Sequence, residues 1–201
     1  MKIFCMRNNN LFHDISFLCF FAIVFNFFSS GCESLPSKSD GPDNPLDPNN
    51  PTNIVQGPAL VLSPTNVKIN TGDEFQLELW IVEIYSVAGM SARINFDPTE
   101  FNVENVDSLS DNSESFFLQN GGQLIWFCTI NNDSGFVQID CAVVEGAPKD
   151  VKGRGVISRI LLQHLSGPKT NINISSLSYL RNSSNDEINL NDLIGAEINI
   201  N

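Results

Sequence analysis

The sequence predicts an all-β domain, an antiparallel β-sandwich of about nine strands, and three observations carry that prediction. Apolar and polar residues alternate from residue 58 to the end of the chain, no stretch of 12 residues holds a 3.6 period, and turn chemistry recurs at spacings of roughly 10–15 residues. The strand-like segments are PALVLSP (58–64), TNVKIN (65–70), EFQLELWIVEI (74–84), AGMSARINF (88–96), FNVENV (101–106), GQLIWFCTI (122–130), GFVQIDCAVV (135–144), GVISRILLQHL (155–165), TNINISSLSYL (170–180), and EINL with AEINI (187–200). Thr71-Gly72-Asp73, Asp97-Pro98, Asn120-Gly121-Gly122, Ser134-Gly135, Gly146-Ala147-Pro148, Lys152-Gly153 and Ser166-Gly167-Pro168 punctuate them. Some 140 residues suffice for one sandwich core.

The amino terminus belongs to another class. Lys2 and Arg7 precede FLCFFAIVFNFF (17–28), and 8 of the 15 Phe fall within residues 1–28. That apolar run is shorter than the roughly 20 residues a spanning helix needs, and SSGC follows it at once, which reads as an export leader over 1–31 with Cys32 as a lipidated first residue. Ordinary secretion with cleavage nearby is the competing reading. Residues 32–57 hold five Pro among many Asn, Asp and Ser, so they bury too little to fold and are expected to form a tether. Stretched at 3.1 Å per residue, about 25 such residues reach on the order of 70 Å. The expected location is a lipid anchor on a bacterial envelope, at the outer membrane or cell surface. The domains are thus a leader (1–31), a lipidated Cys with its tether (32–57) and a sandwich (58–201).

Charge and composition narrow the function. The chain carries 23 Asp+Glu against 11 Lys+Arg, a net charge of -12, which repels nucleic acid and anionic lipid. Without residues 1–31 the counts are 22 and 9, a net charge of -13. Only 2 His are present, and His13 leaves with the leader, so triads, His-rich zinc sites and histidine bases lack material. His164, on an alternating strand, is read as a half-buried or exposed structural residue. No enzyme activity and no cofactor are expected.

One hairpin can be read residue by residue. If Ser134-Gly135 is a two-residue loop, Asp133 pairs with Phe136 and Cys128 faces Cys141. Leu124, Trp126, Cys128, Ile130, Ile139, Cys141 and Val143 then share the core side. Two readings of the cysteines stand: a cross-strand disulfide, permitted in an exported compartment, and two buried free thiols acting as small hydrophobes. On the opposite side Ile125, Phe127, Ala142 and Val144 lie together, with Thr129, Gln138 and Asp140 toward the turn. Trp80 and Val82 point away from Phe75, Leu77, Leu79 and Ile81, so Trp80 is a candidate sugar-stacking ring.

Four segments resemble the cohesin domain, the β-sandwich receptor module of bacterial cellulosomes and related surface proteins. They are VLSPTNVKINTGDEFQLELWI (61–81), GMSARINFDPTEFNVENV (89–106) with its aromatic-Asp-Pro turn, KGRGVISRILLQ (152–163) and INISSLSYLRNSSNDEIN (172–189). The same segments also fit family 2 and family 3 carbohydrate-binding modules. The resemblance spans Ala59 to Asn189 and implies a nine-stranded jelly roll that receives a protein, usually a Ca²⁺-loaded dockerin, on one sheet face. It adds Arg93 and Asn95 of the adjacent strand to the hairpin's outer residues as the partner-binding face. Residues 182–194 distantly resemble a dockerin calcium loop, but Arg181 and Asp186 occupy positions where the loop needs Asp and Gly, so they read as an acidic closing loop. The expected function is a non-catalytic surface lipoprotein that binds a dockerin-type module, within extracellular polysaccharide degradation. A glycan-binding sandwich that captures polysaccharide and a structural envelope lipoprotein are the alternatives.

Overall fold

Alternation of side chains along nearly every segment builds two facing sheets, because each strand with one apolar face must bury that face against another. A computed structural model of the chain describes Leu46 and residues 55–109, 115–118, 123–144 and 151–201. The expected leader, Cys32 and most of the expected tether lie outside the described residues.

The described residues form thirteen strands: β1 (Ala59–Ser63), β2 (Asn66–Ile69), β3 (Glu74–Val87), β4 (Gly89–Asn95), β5 (Phe101–Asp107), β6 (Gln123–Asn131), β7 (Phe136–Val144), β8 (Val151–His164), β9 (Thr170–Ile174), β10 (Tyr179–Arg181), β11 (Glu187–Ile188), β12 (Asp192–Ile194) and β13 (Ala196–Ile200). One sheet runs β12-β1-β3-β8-β5. The other runs β11-β10-β4-β9-β13-β2, with β7 on the free side of β4 and β6 beyond β7. The fold is the all-β sandwich that the period of two predicts. It differs in two respects from a purely antiparallel arrangement of nine strands. The carboxy-terminal segment splits into β11, β12 and β13, and two of the pairings, β1 with β12 and β2 with β13, are parallel.

The core lies between the sheets. Phe75, Leu77, Leu79 and Ile81 of β3 and Ile160 and Leu162 of β8 meet Ala92 and Ile94 of β4 and Val137 and Ile139 of β7, all at most 2% exposed. Burial of each large side chain contributes about 1.5–3 kcal/mol. A second cluster forms on the outer side of the first sheet, where Val55, Ala59, Val61 and Val82 pack with Leu46, Trp80 and Ile194. Val55 is therefore part of the packed unit, Gln56 donates its backbone N–H to Asp192 Oδ2 at 2.8 Å, and Asn191 donates to the Gly57 carbonyl at 2.7 Å. Leu46 and Val55, both ahead of the boundary expected at Pro58, thus take part in the packing.

His164 departs from expectation. It is fully buried at the end of β8, its ring 5.4 Å from that of Phe101, and neither ring nitrogen has a hydrogen-bond partner.

Candidate partner-binding face

The face is built around the β6–β7 hairpin, whose turn decides its geometry. Four residues, 132–135, form the loop, and the closing pair is Asn131 with Phe136, not Asp133 with Phe136 as the two-residue reading requires. Gly135 adopts φ 67° and sits so close to Phe96 that a Cβ there would lie 2.2 Å from the Phe96 carbonyl oxygen, so only glycine fits. Phe96 donates its N–H to the Gly135 carbonyl at 2.9 Å, and Asn131 Oδ1 accepts the Ser134 N–H at 2.8 Å.

This longer turn moves the register by two residues. Cys128 stands opposite Ile139 and Cys141 opposite Trp126, so the two cysteines are diagonal and both are free thiols, Cys128 exposed and Cys141 buried. The expected direct cysteine pair is absent for that reason. Burial, with the Asp140 charge added, raises the thiol pKa of both residues. A shift of two leaves the faces unchanged, because side chains alternate with a period of two. Val137, Ile139 and Cys141 stay in the core, and Ile125, Phe127 and Thr129 stay outside with Gln138, Asp140, Ala142 and Val144.

Beside them, β4 pairs antiparallel with β7 over its whole length. The register sets Ser91 against Asp140, Arg93 against Gln138 and Asn95 against Phe136. All nine residues of the expected face therefore lie on one outer surface. Ser91 Oγ donates to Asp140 Oδ1 at 2.6 Å, and Gln138 Nε2 donates to Ser91 Oγ at 2.9 Å and to Asp140 Oδ1 at 3.2 Å. The Arg93 guanidinium lies 3.8 Å from the Phe136 ring centroid, while its Nε donates to Asn95 Oδ1 at 3.3 Å. These links hold the polar side chains in place before any partner arrives.

Two further strands complete the surface. On the other side of β4, β10 sets Tyr179 opposite Ser91 and Arg181 opposite Gly89. A groove of about 690 Å³ runs over Gly89 and Ala142, with Ile125 and Phe127 on one bank and Tyr179, Arg181, Asn182, Ser183 and Asn185 on the other. Arg181 lies 5.2 Å from the Tyr179 ring centroid and donates to the Asn185 carbonyl at 2.7 Å. Phe127 is 67% exposed and Ile125 45%, which is unusual for large apolar side chains on one small surface. Among the described residues, no group of three or more His, Cys, Asp or Glu is placed to hold a metal ion.

No protein-family model matches this sequence, and no curated protein matches it. Solved structures do. A type I cohesin–dockerin complex from Clostridium thermocellum, Coh-OlpA–Doc918, matches at a TM-score of 0.52 and 13% identity, over 71% of this chain and 98% of the other. The third cohesin of ScaC from Acetivibrio cellulolyticus, solved with the ScaB dockerin, matches at 0.52 and 18%, over 71% and 97%. A type II cohesin domain from the cellulosome of the same organism matches at 0.51 and 14%, over 69% and 92%. The domain has the cohesin fold.

Within this cohesin fold, Ser91, Phe136, Tyr179 and Arg181 join the face without having been singled out in the sequence. Ser91 and Phe136 share the alternation of Arg93 and Gln138 and were within reach of it. Tyr179 and Arg181 arrive through a pairing between β4 and β10, which are distant in sequence. Trp80, the candidate sugar-stacking ring, is half-buried against Val61 and Val82 in the second cluster, and its Nε1 donates to Glu78 Oε2 at 3.0 Å. Its ring is thus partly covered by the domain itself.

Proposed function

We propose that this domain is a non-catalytic recognition module that receives a dockerin-type protein module on the outer face of β4, β6 and β7. The observation that carries the proposal is the exposed Phe127 ring beside Ile125, standing over a groove whose polar residues are already hydrogen-bonded to one another. An apolar anchor within an ordered polar surround is the anatomy of a protein interface. The cohesin fold supports the reading, since two of the structural neighbours were solved with dockerins bound. The face carries one carboxylate, Asp140, and no histidine, which suits binding and supplies no acid–base pair. Titration of the full chain with Ca²⁺-loaded dockerin modules tests this: saturable binding that Phe127→Ala weakens supports it, and absence of binding across a broad dockerin panel overturns it.

Display at a bacterial surface, by a lipid on Cys32, and a role in extracellular polysaccharide degradation complete the proposal. The SSGC motif after the apolar run and the Pro-rich segment that follows support the anchor. Cys32→Ser should move the protein from the membrane to the soluble fraction, and unchanged membrane association counts against lipidation.

A further inference from the structure

Among the described residues β6 pairs with β7 alone, and the edge that it leaves is unlike the other sheet edges. The β5 edge carries Glu104 and Asp107 and has a register shift between Val103 and Asn105, β12 has three residues with Asp192, β11 has two, and β2 has four with Lys68. Short, charged or bulged edges discourage further strand pairing. By contrast β6 runs nine residues, QLIWFCTIN, with no Asp, Glu, Lys, Arg or Pro. It is apolar on both sides: Ile125 and Phe127 face outward, while Leu124, Trp126 and Ile130 face the core side. Apolar residues on both faces mark a strand that is covered on both sides of its sheet. Ile130 is nevertheless 39% exposed and Cys128 is exposed, although both point to the core side.

The backbone of β6 can be oriented from its neighbours. Phe96 N–H bonds the Gly135 carbonyl and Val143 N–H bonds the Ala88 carbonyl, which makes Asn95/Phe136 and Gly89/Ala142 non-hydrogen-bonded pairs between β4 and β7. Phe136, Gln138, Asp140 and Ala142 therefore turn their N–H and C=O groups toward β6. Their partners on β6 are Asn131, Thr129, Phe127 and Ile125. It follows that Leu124, Trp126, Cys128 and Ile130 direct their backbone groups to the open edge.

We propose that β6 pairs antiparallel with β6 of a second copy of this chain across a two-fold axis. Full overlap of residues 123–131 with themselves centres the axis on Phe127. That register makes hydrogen-bonded pairs of Leu124 with Ile130 and of Trp126 with Cys128 of the second copy, and these are the residues whose backbone groups point away from β7. The match between full overlap and hydrogen-bond parity follows from the strand's own length and requires no shift. It also sets the half-exposed Ile130 beside the better-covered Leu124. Charge opposes a second copy least at this edge: with a net charge of -12, two chains repel across their acidic surfaces, whereas self-pairing of β6 brings an uncharged strand against an uncharged strand. The two Phe127 side chains would then sit side by side and join two partner faces into one continuous sheet surface.

The test is the sedimentation of the full chain in mild detergent, independent of any dockerin measurement. The wild type should have twice the monomer mass of 22.2 kDa. Cys128→Pro removes an N–H that points to the open edge and donates nothing to β7, so the variant should remain folded and become monomeric. Cys128→Ser keeps that N–H and should stay dimeric. If Cys128→Pro fails to fold, Ile130→Glu, which places a like charge on both copies at an exposed position, decides the matter by giving a folded monomer. A wild-type chain that is monomeric throughout the concentration range, or a folded Cys128→Pro or Ile130→Glu chain that remains dimeric, overturns the proposal.

Discussion

The side chain of Asn132 and the backbone of Val103 bond to each other twice: Asn132 Oδ1 accepts the Val103 N–H at 2.9 Å, and Asn132 Nδ2 donates to the Val103 carbonyl at 3.1 Å. Asn132 belongs to the β6–β7 turn of one sheet and Val103 to β5 of the other, so a single amide clasps the two edges together. It acts just where β5 loses register with β8, between Val103 and Asn105, and would otherwise leave these groups unpaired. Asn132→Ala removes both bonds and should lower stability by about 1–3 kcal/mol in chemical denaturation. A variant as stable as the wild type would show that the clasp contributes nothing.

The two faces of the hairpin should respond oppositely to truncation. Phe127→Ala removes a side chain that touches solvent, so the melting temperature should change little, while binding of a dockerin-type module weakens by about 2 kcal/mol. Ile139→Ala opens a cavity in a fully buried position and should cost about 2–5 kcal/mol of stability. Thermal melts and binding isotherms on both variants separate the effects, and the reverse pattern would falsify the assignment of faces.

Chemical modification should distinguish the cysteines. Cys128 is exposed, whereas Cys141 is buried and its thiol pKa is raised by burial and by the nearby Asp140 charge. A maleimide applied to the native chain, followed by peptide mass mapping, should label Cys128 and leave Cys141 unmodified until the chain is denatured. Equal protection of both, reversed by a reductant, would instead reveal a disulfide.

His164 is a buried imidazole with no hydrogen-bond partner for either nitrogen. Desolvating such groups without compensation is costly, so His164→Leu, which fills similar space beside Phe101, should raise stability by about 1 kcal/mol or more. Destabilisation in the same denaturation assay would mean that the ring makes a contribution that its packing does not reveal.

Acid should loosen the Asp97 turn. The Thr99 hydroxyl and backbone N–H both donate to Asp97 Oδ1, at 2.7 and 2.8 Å, and hold its carboxyl below the ordinary value of 3.8. A carboxylate with a lowered folded pKa contributes stability above its unfolded pKa and loses it as the pH falls through the folded one. Stability should therefore decline as the pH drops below 3.8, and Asp97→Asn, which keeps an acceptor but does not titrate, should flatten that part of the profile. Identical acid profiles for the two chains would exclude this turn as a source.

The sequence by itself determined which side of the β6–β7 hairpin and of the first half of β3 faces the core, because a period of two survives any even change of register. Leu77, Leu79 and Ile139 were legible as facing the core, and Phe127, Gln138 and Asp140 as outward, even though the hairpin register behind the reading was two residues off. The same alternation identified the sandwich, and the Phe96-Asp97-Pro98 turn belonged to the resemblance that named the fold. Tertiary structure decided what alternation cannot encode. The close approach of Gly135 to Phe96 made the hairpin loop four residues long, which separated Cys128 from Cys141 while leaving both on the core side. Pairing between strands distant in the chain brought Tyr179 and Arg181 to the groove, and packing in the second cluster half-buried Trp80. Side-chain direction is a local property of an extended backbone, whereas register and strand neighbours depend on contacts between residues that the chain brings together only when it folds.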